Sequence, residues 1–309
     1  MRLDPGIETF LETLRAATGG KPAPFEAEAR RRMLRQRTAL FPVALPSGVT
    51  FEDWHLALSG REIPLRIYRP AGGGKLAALL YFHGGGWVAG DPITHHATTA
   101  ILAGLSGAVV VSVHYRRPPE NPYPAALQDA EAVLEWLRDP PDWLDTDPGR
   151  IAAAGDSAGG NLTAALTLKL RDAGQPQLRH QLLIYPVLDT DFENASYRAA
   201  ADPVLTPAAM RYYWNAYLSR EADWRDPYAV PARAKDLTGL PPATLLTAEA
   251  DPLRDEGEAY AVRLEAAGVP TTLLRGASMV HGFLRAWELS PAVRGLFEQA
   301  CTKLVRDLA

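Results

Sequence analysis

The 309-residue chain is short of cysteine: it holds one, Cys301. An intrachain disulfide is excluded, no cysteine cluster exists to hold a metal, and a reducing compartment suits the chain. An excess of one charge is also lacking. The 32 Lys+Arg are scattered among 36 Asp+Glu, for a formal net charge of −4. Without a basic patch, nucleic acid is not an expected partner. No apolar run approaches the roughly 18 residues that cross a bilayer, so no membrane insertion is expected. The N-terminus carries Arg2, Asp4, Glu8 and Glu12, which interrupt any secretory leader. These absences predict a cytoplasmic protein. Dinucleotide fingerprints are missing, and the G-x-x-x-x-G stretches lack the Lys-Ser/Thr ending of a phosphate loop. His95-His96, after Asp91, have no third metal ligand at suitable spacing and read as a surface helix start. No metal and no organic cofactor is expected.

What is present is ample apolar material, 47% of residues, laid out in a recognisable order. Ile7, Phe10, Leu11 and Leu14 have helical spacing, and Met33, Leu34 and Leu40 more loosely so; Gly19-Gly20-Lys21-Pro22 separates the two pieces. The charge run from Arg30 to Arg37 reads as a solvated helix face. Val49–Leu58 and Glu62–Tyr68 alternate as an antiparallel pair joined at Ser59-Gly60. Ala77–Phe82 and Ala108–Val113 are continuous apolar runs, as suits strands buried on both faces of a parallel sheet. Helical stretches at about 95–105 and 125–137, further strands at Ile151–Ala154, Gln181–Val187, Ala243–Ala248 and Thr271–Leu274, and a last helix at Ala292–Leu308 complete an α/β alternation. Residues 192–237 break the rhythm with an aromatic helix, Tyr212, Tyr213, Trp214 and Tyr217, and read as an insertion between two strands.

One motif carries chemistry. Gly155-Asp156-Ser157-Ala158-Gly159-Gly160-Asn161 follows an apolar strand and opens a helix-like stretch. A serine between glycines at such a junction has the form of a nucleophile elbow, in which a tight turn tolerates almost no Cβ at the flanking positions Gly155 and Gly159. A serine hydroxyl needs a base. Only His180 and His281 follow Ser157; His180 opens an apolar strand, whereas His281 lies in a loop between the last strand and the last helix. The chain order nucleophile, acid, histidine therefore selects His281. For the acid, Asp251 and Asp189 both follow strands, on the edge where sites form in open sheets; Asp191 and Asp255 are weaker candidates. His83-Gly84-Gly85-Gly86-Trp87 follows a buried strand and supplies free backbone N–H groups for an oxyanion, completed by the N–H of Ala158 at a helix start. Gly72-Gly73-Gly74 lacks that context and reads as a loop.

With these motifs in hand, the chain resembles the hormone-sensitive-lipase-like family of α/β-hydrolase carboxylesterases, from about residue 50 to the C-terminus. The resemblance also takes in Tyr185-Pro186, Asp251-Pro252-Leu253-Arg254-Asp255-Glu256-Gly257 and His281-Gly282-Phe283. It implies an α/β-hydrolase fold: a mostly parallel sheet flanked by helices and covered by a helical cap. It assigns the acid to Asp251 and the oxyanion donors to Gly85, Gly86 and Ala158. It gives His83, with Gly84, the role of holding the glycine loop. Residues 1–48 would be N-terminal cap helices, and residues 49–309 the catalytic domain with a cap insertion at about 190–237. Trp87, Tyr185 and Trp214 would wall the acyl pocket. His114, Pro118 and Ser278 depart from the usual residues without removing a catalytic group.

The expected activity is hydrolysis of short- to medium-chain acyl esters, a small-molecule ester being the partner, through an acyl-enzyme on Ser157. Two rivals use the same scaffold. One is an acetyl or amide hydrolase of a specific metabolite. The other is a non-catalytic receptor, which would lack the histidine that His281 supplies. The family also suggests a homodimer.

Overall fold

Strand sequences here hide from water on both sides. In Leu76–Phe82 (β3), Ala78, Leu80 and Phe82 enter one apolar core, while Ala77, Leu79 and Tyr81 enter another. Period-two alternation sends neighbours to opposite faces of a sheet, and both faces are covered. The computed structural model describes residues 2–21, 23–199 and 202–309; Met1, Pro22, Ala200 and Ala201 lie outside them.

Among the described residues, eight strands form one sheet in the order β1-β2-β4-β3-β5-β6-β7-β8. They are Thr50–Leu58, Arg61–Arg69, β3, Val109–Val113 (β4), Thr146–Asp156 (β5), Gln181–Ile184 (β6), Ala243–Ala248 (β7) and Thr271–Gly276 (β8). β2 runs antiparallel to both β1 and β4, and the other pairings are parallel. Ala125–Arg138 (α4), Ala158–Asp172 (α5) and Arg254–Ala266 (α8) pack on one face; His96–Ser106 (α3) and Pro291–Leu308 (α9) pack on the other. Cys301 is buried within α9. The alternation predicts such a parallel sheet covered on both faces, and the arrangement is the α/β-hydrolase fold that the resemblance implies.

Several boundaries moved. β6 ends at Ile184, not Val187, because Tyr185 turns the chain with φ +35°. β5 starts at Thr146, ahead of the expected Ile151, with a register irregularity against β3. α8 went unread in the sequence.

Two helices precede the sheet: Pro5–Thr18 (α1), capped by the Asp4 carboxylate, and Ala27–Thr38 (α2), capped by Glu26. Between β6 and β7 run the short Ala195–Ala199 (α6) and Pro207–Tyr217 (α7). The Phe25 ring lies 5.5 Å from Tyr212, so the N-terminal segment and the insertion meet. They enclose a cavity of about 420 Å³ whose floor includes Gly85 and Ala89.

Candidate active site

The site is assembled where β3, β5, β7 and β8 end. Ser157 stands between β5 and α5 with φ +56° and ψ −116°, a conformation that side chains rarely adopt. Its N–H donates to the Ile184 carbonyl at 2.8 Å, which fixes the strained turn to the next strand. Glycines flank it for want of space. A Cβ on Gly159 would run into the Phe82 carbonyl, and one on Gly155 would stand 2.8 Å from the same oxygen.

His281 arrives on the loop after β8. Its Nε2 is 3.0 Å from the Ser157 Oγ, and its Nδ1 is 2.7 Å from Oδ2 of Asp251, which follows β7. Asp251 is held in turn by the Leu253 N–H, at 2.9 Å from Oδ1. The three expected side chains thus form one buried chain of hydrogen bonds. Asp189 is elsewhere, 3.7 Å from Arg233. Burial alone would lower the His281 pKa. The charge and hydrogen bond of Asp251, helped by Asp202 and Asp156, outweigh it and leave the pKa raised.

The glycine loop follows β3. Among the described residues, the N–H groups of Gly85, Gly86 and Ala158 have no internal acceptor. Gly86 has φ +60°, and a Cβ there would strike the Tyr213 ring. His83 Nδ1 lies 3.0 Å from the Gly84 carbonyl, and its ring stacks on Tyr115 at 4.2 Å. Desolvation, then the neighbouring His95, hold the His83 pKa well below the usual range, so the ring is neutral.

The expected pocket residues separate. Tyr185 packs edge-on to the His281 ring at 4.8 Å. Trp87 and Trp214 are fully enclosed; they lie 4.7 Å apart, with Trp87 stacked on Tyr217 at 4.2 Å, and neither lines the cavity above Gly85.

Sequence reasoning missed two carboxylates. Asp156 accepts from the Tyr81 hydroxyl at 2.6 Å and the Gly84 N–H at 2.8 Å through Oδ1, and its Oδ2 lies 3.4 Å from His95 Nε2. His95 is therefore not a surface residue: it is 3% exposed, drawn inward by this carboxylate. Asp202, in the insertion, accepts the backbone N–H of His281. Burial, then the Asp251 charge, push the Asp202 pKa up to about 7. The only hint of Asp156 was its place inside the serine motif; Asp202 left no local signal.

The fold and this constellation define an α/β hydrolase. Residues 79–285 match the family described as alpha/beta hydrolase fold. The carboxylesterase NlhH of Mycobacterium tuberculosis is 37% identical over 99% of this chain and 96% of its own. An ethyl acetate hydrolase of Pseudomonas putida is 34% identical, covering 92% of this chain and 93% of its own. A thermostable esterase of Pseudomonas putida superposes with a TM-score of 0.93 at 39% identity, covering 100% of this chain and 98% of that one. The chain belongs to the α/β-hydrolase family, in its hormone-sensitive-lipase-like branch, and is a carboxylic ester hydrolase. Among the described residues, no helix is long and apolar enough to cross a membrane.

Proposed function

We propose that Ser157 is the nucleophile of this ester hydrolase, His281 its base and Asp251 the group that orients the base. The observation that carries the assignment is the unbroken hydrogen-bond chain from Ser157 Oγ through His281 to Asp251, at 3.0 and 2.7 Å. The Ser157 oxygen attacks the ester carbonyl carbon while its proton passes to His281 Nε2. The resulting oxyanion is received by the N–H groups of Gly85, Gly86 and Ala158, each worth about 3 kcal/mol in the transition state. Collapse expels the alcohol, which takes the proton from Nε2 and leaves an acyl ester on Ser157. Water, deprotonated by the same imidazole, then releases the acid.

Residues 1–48 and about 190–237 act as a cap, a reading supported by the cavity they enclose over Gly85. A space of about 420 Å³ suits short to medium acyl chains. Tyr185 steadies the histidine, and Trp87 with Trp214 form the rigid wall behind the glycine loop. A panel of para-nitrophenyl esters tests the assignment: the optimum falls between butyrate and octanoate, and Ser157→Ala loses about 10⁴-fold or more of kcat. Equal turnover by the two proteins would remove it.

We also propose a cytoplasmic homodimer. The buried, unpaired Cys301 fits a reducing compartment. β8 ends the sheet with a half-covered edge, Leu273 being 36% exposed. Light scattering should read twice the 33.6 kDa chain mass, and a monomer at micromolar concentration would reject the dimer.

A further inference from the structure

The arginines of α2 divide by helical phase. Arg31 meets Glu120 at 2.6 Å, Arg32 lies 3.7 Å from Glu28, and Arg35 reaches Asp91 at 2.8 Å. The expectation of a solvated face holds for none of the inward members of this run, for Arg30 is only 3% exposed. Arg30 and Arg37 stand two turns apart and so share a face, with Met33 and Leu34 between them. All four line the cavity over Gly85. Arg15 and Lys21 line it too, and among the described residues no Asp or Glu does.

Within the described residues, neither Arg30 nor Arg37 has a carboxylate within 4.0 Å. Arg30 is held by tyrosines: its Nη1 donates to the Tyr213 hydroxyl at 2.7 Å, and its guanidinium lies 4.5 Å from the Tyr212 ring centre. Its Nε is buried without a partner, as is that of Arg37. Burial, with Arg285 and Arg30 alongside, holds the Arg37 pKa below the usual arginine range. A cation removed from water is unfavourable unless an anion or an acceptor compensates it. Here the Tyr213 hydroxyl compensates Arg30, whereas the half-buried Arg37 has no acceptor among the described residues and lines the cavity next to the oxyanion loop.

We propose that the cavity receives an anion on the substrate itself: this enzyme selects esters that carry a second, ionised carboxyl group away from the scissile bond, with Arg37 as its anchor. Arg30, already committed to Tyr213, shapes the wall and adds field. The inference rests on the esterase assignment above and names its substrate class.

Two substrate pairs test it, one for each side of the ester. Mono-para-nitrophenyl adipate is compared with its methyl ester, and carboxyphenyl acetate with its methyl carboxylate. The wild type should favour the charged member of at least one pair by about tenfold in kcat/KM. Arg37→Gln should erase most of that ratio, chiefly through KM, and Arg37→Lys should restore part of it. No preference in either pair, or the same ratio in R37Q, overturns the proposal. Should R37Q fail to fold, competition decides: adipate must inhibit wild-type hydrolysis of para-nitrophenyl butyrate more strongly than adipamide does, and equal inhibition overturns it. Wild-type turnover of the neutral butyrate, lost in S157A, reports on the esterase assignment separately.

Discussion

Asp156 ties three parts of the site together without touching the serine hydroxyl. Its carboxylate joins Tyr81 at the end of β3, Gly84 at the root of the glycine loop, and His95 ahead of α3. Although burial opposes ionisation, His95 first and then Arg285 and Tyr81 hold its pKa well below the usual carboxylate range. The loop and the serine turn are thus fixed to each other by one anion. Asp202 is its counterpart for the histidine. As a carboxylate it raises the His281 pKa, behind Asp251. The base works only when neutral, so activity is expected to rise with pH through a midpoint above the ordinary histidine value of about 6.5. Asp202→Asn removes one raising charge and should move the acid limb of kcat/KM to lower pH; an unmoved limb would show that Asp202 only positions the loop. Asp202 also acts on stability. Its native pKa of about 7 lies above the unfolded one. The native protein therefore holds the extra proton, and this group's stabilisation is fully present below pH ~4 and is lost as pH rises through about 7.

Elements were legible where a pattern repeats and illegible where a contact decides. The apolar runs of β3, β4 and β7 announce buried strands, and the structure places them within a residue of expectation. The apolar run marks β5 only from Ile151, yet the strand reaches back through the polar Asp147-Pro148-Gly149 to Thr146, which pairs with Leu76. α8 escaped because only Tyr260, Ala261 and Leu264 mark its apolar side against six charged residues among its thirteen. Ser278, which replaces a frequent glycine, adopts φ +60°, so the usual residue reflects backbone geometry. The junction of β5 with α5 carries the sharpest test at this scale. Gly159→Ala forces a methyl into the Phe82 carbonyl and should destabilise by about 3 kcal/mol or more, beyond usual overpacking. Gly73→Ala, which meets nothing within 4 Å, should stay within about 0.5 kcal/mol. Denaturant midpoints of the two variants make the comparison.

For the whole molecule, the motifs named the chemistry and the long-range contacts shaped the cavity. Ser157, His281 and the glycine loop were readable because strained turns and free amides demand particular residue types in a fixed order. Choosing Asp251 over Asp189 needed the family resemblance, since both follow strands. The inward phase of Arg30 and Arg37 was not readable, because a seven-residue spacing of charges looks the same whether its face meets water or a cap. The same holds for Trp87 and Trp214, whose aromatic character signals burial but not what they face.

The solitary thiol gives the chain a built-in clock. Cys301 is 2% exposed on the inner side of α9, and burial pushes its pKa up to about 12, so alkylating reagents find neither access nor thiolate while the fold is closed. Each modified molecule then records one excursion of the C-terminal helix away from the sheet, and the rate of capture measures how often the native state breathes there.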